Sequence, residues 1–255
     1  MTDATSTLAI GGDTGLRTRI ASISKLLTTV AGLVAAEEET ISLDEPAGPQ
    51  GSTVRHLLAH ASGLPFEGSA PVAPPGRRRI YSNTGIEVFA RHLEAKSDMP
   101  FADYLTSSIV EPLGLGSTGV TGSPARGFHS VVTDLLAFAR ELLAPRLISP
   151  VTLKLATTTQ FPGLKGVLPG IGAFDPNDWG LGFEIRDGKD PHWTGSLNSP
   201  ATFGHFGGSG TFLWVDPSVG LACTGLTDRQ YGPWALEAWP RLSDEILRRF
   251  AGSGG

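Results

Sequence analysis

One cysteine, Cys223, stands alone in a chain of 255 residues, so no disulfide can form within it. The segment around it, Gly220 to Thr224, reads as a strand in which a buried, unreactive thiol is expected. Positive charge is also scarce. Twenty Lys and Arg face twenty-five Asp and Glu, for a net charge of −5 and a pI near 5.7. The one basic run is Arg77, Arg78 and Arg79, which excludes nucleic acid as an expected partner. No apolar run approaches the ~20 residues of a membrane span. Met1-Thr-Asp-Ala-Thr-Ser-Thr has neither the basic stretch nor the apolar core of a secretory signal, so no membrane partner and a cytoplasmic location are expected. His56 and His60 stand four apart, but no Glu or third ligand accompanies them. They are read as capping or packing residues, and no metal or organic cofactor is expected.

What is present is an ordinary globular composition, 40% hydrophobic and 18% charged, with turns and loops signalled by 33 Gly and 19 Pro. A chain this long should bury roughly 70–75% of its unfolded surface without staples, and a single domain over 1–255 is expected. Residues 6–11 read as a short strand closed by Gly11-Gly12-Asp13. A helix follows from near Ser22, because Ile23, Leu26, Leu27, Val30, Leu33 and Val34 form one apolar stripe at helical spacing. Glu37 to Glu39 reads as a solvated face. Thr53 to Ala61 is a second short helix, and 66–79 a Pro/Gly-rich surface loop. Further helices are expected over 84–96, 101–110, 133–143 and 234–250, and an irregular stretch over 158–178. Strand periodicity occupies Trp179–Arg186, Gly210–Asp216 and Gly220–Thr227. The expected fold is therefore α+β. An antiparallel sheet, from about 1–21 and 179–255, is flanked by helices and interrupted by a mainly helical region over about 22–178.

Three short motifs occur once each and in order: Ser22-Ile-Ser-Lys25, Tyr81-Ser-Asn83 and His205-Phe-Gly207. The set resembles the serine β-lactamase and penicillin-binding-protein superfamily, namely class C β-lactamases, D-alanyl-D-alanine carboxypeptidases and related esterases. The flanking text Thr53-Val-Arg-His-Leu-Leu-Ala-His-Ala-Ser-Gly-Leu-Pro and Gly204-His-Phe-Gly-Gly-Ser-Gly-Thr-Phe-Leu-Trp-Val-Asp-Pro agrees, and the resemblance runs from about residue 16 onward.

The residues themselves suit acyl transfer. A serine hydroxyl is a weak nucleophile until a nearby base takes its proton. Ser22, at a helix start, has a backbone N–H and the positive end of the helix dipole beside it, which favour an oxyanion. Lys25 lies one turn on and reaches Ser22 Oγ, and a partly buried site disfavours its ammonium. Tyr81 offers a phenol that Lys25 could keep partly ionised, as a shuttle to the leaving group, and Asn83 can bond Lys25 and the substrate. The resemblance implies that the amide of Gly208 is the second oxyanion donor, and that a strand edge at His205 and Gly207 lines the substrate. The implied activity is hydrolysis through an acyl-Ser22 intermediate, of carboxylesterase, β-lactamase or D-amino-acid peptidase type, on a small ester, amide or β-lactam. The alternative is a degenerate relative that binds an acyl ligand or a protein without turnover.

Two departures from the family pattern carry expectations. The third motif is H-F-G rather than K-T-G, and a mostly neutral His205 tilts the substrate toward uncharged esters or amides. Only 21 residues precede Ser22, where such proteins usually have a helix and two strands. A trimmed sheet with an incompletely covered face or edge is expected, and a homodimer through that surface is one remedy.

Overall fold

A computed structural model of the chain describes residues 1–251. The apolar stripe after Ser22 becomes α1 (Ser24–Glu37), entered through a single 3₁₀ turn at Ala21–Ile23. Spacing predicts one buried face, yet every residue from Ser24 to Ala35 is buried. The helix runs through the middle of the molecule, so its second face must also be packed, and small or hydrogen-bonded residues do this. Gly32 lets the Phe89 ring lie against the backbone, where an added Cβ would stand 2.4 Å from Cζ. Thr28 Oγ1 donates to Pro124 O at 2.7 Å.

Around α1 pack α2 (Val54–Leu58), α3 (Asn83–Ser97), α4 (Phe101–Leu105) and, through a π turn at Thr106–Val110, α5 (Glu111–Leu113). Thr53 caps α2 by accepting from His56 N. Ser82 caps α3, its Oγ accepting from Gly85 N at 2.8 Å, which fixes where Asn83 begins the helix. Further along come α6 (Val132–Leu143), α7 (Pro150–Ala156) and α8 (Pro233–Phe250).

The main sheet is antiparallel, in the order β5 (Glu184–Ile185), β6 (Phe203–Gly207), β7 (Thr211–Asp216) and β8 (Leu221–Gly225). Two small pairs stand apart from it: β1 (Thr18–Arg19) with β2 (His129–Ser130), and β3 (Gly166–Leu168) with β4 (Gly172–Phe174). Alternation along β7 explains why the whole strand is buried. Leu213 and Val215 join the main core with α1 and α3, while Phe212 and Trp214 join a second core under α8, with Trp239 and Leu247. Both faces of the sheet are thus covered, and the bare face allowed for from sequence is not found among the described residues. Each large side chain so buried contributes about 1.5–3 kcal/mol.

Several expectations need correction. Residues 6–11 form no strand: Thr2 alone bridges the edge of β8, its N–H and C=O exchanging bonds with Ala222 at 2.8 and 2.9 Å. The segment turns back on the N-terminus instead, Thr7 bridging Thr2 and Leu8 N donating to Met1 O at 3.2 Å, a pairing too short to make a strand. The strand expected over Trp179–Arg186 shrinks to β5 because Gly182, at φ 69°, turns the chain against Thr29. The helix α7 and the β3–β4 hairpin escaped the sequence reading. Arg79, read as part of a surface basic run, is buried, and donates to the carbonyls of Ala59, Gln160 and Asn177. Cys223 is the buried thiol expected, in β8, with burial pushing its pKa up to about 11. Among the described residues no helix is long and apolar enough to cross a membrane.

Candidate active site

The three motifs, far apart in sequence, meet where the start of α1, the start of α3 and the end of β6 converge. Ser22 sits in the 3₁₀ turn, one residue past Ala21, whose φ of 45° is left-handed. Such a conformation costs a non-glycine residue about 1–3 kcal/mol and persists only where the surroundings enforce it. Here they do. Ile20 N donates to Phe128 O at 2.9 Å, Thr211 Oγ1 donates to Ile20 O at 3.0 Å, and Ser209 Oγ donates to Arg19 O at 2.6 Å. Gly207 permits the approach, since a Cβ there would stand 2.6 Å from Ile20 O and 3.0 Å from Ala21 Cβ.

Lys25 is fully buried. Its Nζ lies 3.3 Å from Ser22 Oγ, 2.7 Å from Asn83 Oδ1 and 2.8 Å from Ala125 O. Burial, then the nearby Arg126, hold its pKa well below the usual lysine range, against the opposing pull of Glu67 and Glu87. The Tyr81 hydroxyl donates to Ser22 Oγ at 2.7 Å, and Lys25 Nζ lies over the Tyr81 ring, 4.7 Å from its centre. Burial pushes the Tyr81 phenol above its usual range, only partly offset by the bond to Ser22. That direction opposes the partial ionisation of Tyr81 expected from sequence.

His205 is buried on β6, and burial together with Lys25 pushes its pKa down to about 3. Its Nδ1 accepts from Phe206 N at 2.8 Å, so the ring proton resides on Nε2. His60 repeats the pattern, its Nδ1 accepting from Ser82 N at 3.2 Å. Both rings pack on Tyr81, at 4.8 Å for His60 and 5.4 Å for His205, and both meet Trp179 edge to face. His56 instead bonds Thr53 and stacks on Phe161, so the two histidines serve separate packing tasks.

Ser22 and Gly208 together line two adjoining spaces. One, of about 220 Å³, is walled by Phe66, Tyr81, Pro169, Phe206 and Tyr231. The other, of about 420 Å³, is polar and bounded by Arg19, Asn83, Arg126, Ser209 and Gln230. The structure therefore gathers Ser22, Lys25, Tyr81, Asn83, His205, Gly207 and Gly208 at one place. Sequence reading missed the Ala125 carbonyl, Trp179, and the Glu67–Arg126 pair at 3.0 Å. A carbonyl carries no residue signature, Glu67 and Arg126 sit in loops without periodicity, and Trp179 opens the segment read as a strand, which gave no sign that its ring faces Tyr81.

The fold and this arrangement define a protein of the serine β-lactamase and penicillin-binding-protein class. The sequence profile of the Beta-lactamase family matches residues 11–248, and the chain belongs to that family. Penicillin-binding protein 4* of Bacillus subtilis is 33% identical over 147 residues, 43% of this chain and 32% of that protein. The D-alanyl-D-alanine-carboxypeptidase/endopeptidase AmpH of Escherichia coli K12 is 29% identical over 143 residues, 42% of this chain and 37% of that one. The chain thus spans about a third of the length of these curated relatives. The crystal structure of a β-lactamase from Mycobacterium bovis superposes with a TM-score of 0.96 at 50% identity, covering 98% of this chain and 93% of that one.

Proposed function

We propose that the chain is a serine hydrolase that forms an acyl-enzyme on Ser22, with uncharged carboxylic esters as its preferred substrates. The carrying observation is the hydrogen-bond arithmetic at Lys25. A neutral amine has two N–H donors and one lone pair. Asn83 Oδ1 and Ala125 O, at 2.7 and 2.8 Å, receive the two protons, and in this reading the lone pair faces Ser22 Oγ, which stands 3.3 Å from Nζ. Burial favours the neutral form.

In this reading Lys25 takes the Ser22 proton as Oγ bonds to the substrate carbonyl carbon, and the amides of Ser22 and Gly208 hold the oxyanion. On collapse the protonated Tyr81 gives its proton to the departing alcohol oxygen, and the Lys25 ammonium restores it. Water then attacks the acyl-Ser22 ester with the same base. Because Tyr81 lines the 220 Å³ space, the alcohol portion lies there and the acyl portion in the polar one. A cavity of about 150 Å³ accepts benzene, so the apolar space suits a phenyl or branched aliphatic group. Neutral His205 supplies no cation to hold a substrate carboxylate.

A second reading, hydrolysis of a β-lactam or a D-amino-acid peptide, is favoured by Arg19 and Arg126 in the polar space and by the names of the relatives. Intact mass after incubation with a fluorophosphonate and, separately, a penicillin tests both readings, on wild type and Ser22→Ala. One adduct on wild type, lost in Ser22→Ala, is the expected result, and the faster probe discriminates ester from lactam chemistry. No adduct from either probe on folded protein would replace the hydrolase with a ligand-binding relative.

A further inference from the structure

The geometry points to Glu67 and Arg126 as a positioning pair for this hydrolysis: Glu67 fixes the orientation of the Asn83 amide that receives Lys25, and Arg126 fixes Glu67. The inference rests on the reading of Lys25 as the base. Asn83 Nδ2 donates to Glu67 Oε1 at 2.9 Å, and the same oxygen meets Arg126 Nη1 at 3.0 Å. With Nδ2 so engaged, Asn83 Oδ1 must face Lys25. A flipped Asn83 would instead turn its NH₂ toward Lys25 and donate into the lone pair that Ser22 needs.

The pair acts on both acceptors of Lys25 at once. Arg126 follows Ala125, whose carbonyl is the second acceptor. Its own backbone is tied at both ends, N to Ser123 O at 3.0 Å and O to Arg19 Nε at 2.9 Å. Glu67 enters from the loop after α2, Asn83 from the start of α3, and Arg126 from the loop before β2. One ion pair, about half exposed, therefore braces three segments whose only common interest is the lysine.

The pair also sets the electrostatics at Lys25. The charged groups acting on it are Arg126, which disfavours the ammonium, and Glu67 and Glu87, which favour it. Glu87 is held on α3 by a bond from Ser123 Oγ at 2.7 Å. The remaining titratable neighbours, Tyr81, His60 and His205, are held neutral by burial. Removing Glu67 leaves Arg126 opposed by Glu87 alone, and removing Arg126 leaves both glutamates unopposed, so the two deletions move Lys25 in opposite directions.

The test is the pH dependence of fluorophosphonate labelling of Ser22 in wild type, Glu67→Ala, Glu67→Gln and Arg126→Met. Labelling should fail on the acid side as Lys25 gains its proton. Glu67→Ala should lower the plateau rate about tenfold by freeing the amide to flip. Glu67→Gln keeps an oxygen for Asn83 and should restore most of that plateau, with its acid limb moved down by about one pH unit. Arg126→Met should move the limb up. Equal losses in Glu67→Ala and Glu67→Gln, or limb shifts of the same sign in Glu67→Gln and Arg126→Met, would overturn the positioning role while leaving Ser22 as nucleophile. A wild type that takes no label would overturn the acyl-enzyme reading itself.

Discussion

Replacing Tyr81 with phenylalanine separates the chemistry of this site from its packing. The ring contacts of Tyr81 with His60, Phe66, Trp179 and His205 all involve ring atoms, and the hydroxyl makes one bond, to Ser22 Oγ at 2.7 Å. Tyr81→Phe should therefore change folding stability by no more than about 1 kcal/mol, since a single buried hydroxyl and its one bond nearly offset each other. Catalysis divides by leaving group. An alkyl ester expels an alkoxide that must be protonated, so loss of the phenol should lower kcat/KM by roughly 100- to 10,000-fold. A p-nitrophenyl ester expels a phenolate that leaves without a proton near neutral pH. Its rate should fall by no more than about tenfold, the worth of the single bond to Oγ. The assay is kcat/KM on an ethyl and a p-nitrophenyl ester of the same acid, beside urea denaturation. Equal losses on the two esters would refute Tyr81 as the proton donor to the leaving group.

Three further outcomes follow from the same geometry. Because His205 drops from 6.5 in the unfolded chain to about 3 when folded, the unfolded state binds the extra proton between those values. Stability should then rise with pH from about 3 to 6.5, and be lost as pH falls, with a slope from His205 of up to about 1.4 kcal/mol per pH unit. His205→Gln should flatten that slope in urea midpoints at pH 4 to 7, and an unchanged slope would show that His205 takes no part. Gly207→Ala drives a Cβ to 2.6 Å from Ile20 O, and displacement of Ser22 should cost about 1–3 kcal/mol and roughly 100-fold in kcat; a fully active, stable variant would refute the close-approach argument. Arg79→Met should destabilise by about 3 kcal/mol by stranding the carbonyls of Ala59, Gln160 and Asn177, which a chemical-denaturation shift below 1 kcal/mol would contradict.

The chemistry-bearing side chains were legible because their identities and short spacings are local. Ser22 and Lys25 share a helix face by a separation of three, and Tyr81 and Asn83 flank the capping residue Ser82. What burial does to those groups was not legible. The sequence allowed an ionised Tyr81, and only the burial of its phenol among the rings of His60, Trp179 and His205 shows why ionisation is disfavoured. The apolar stripe of α1 marked a helix correctly but concealed that its other face is buried too, since Thr28 and Gly32 carry no hydrophobic signal. Strand alternation likewise fails as a guide where both faces are covered, as in β7. The segment 6–11 shows the opposite error, apolar letters that pair only with the N-terminal residues and never join the sheet.

The clamp on the nucleophile has a consequence for how the protein matures. Thr211 and Ser209 hold Ile20 and Arg19 across about 190 residues of chain, and nothing nearer in sequence supplies the same two bonds. The left-handed turn at Ala21 thus depends on contacts distant in sequence, which carry a high loop-closure cost in folding. In the proposed chemistry a chain that has not yet paired β6 with β7 would therefore carry Ser22 without the clamp that sets its geometry.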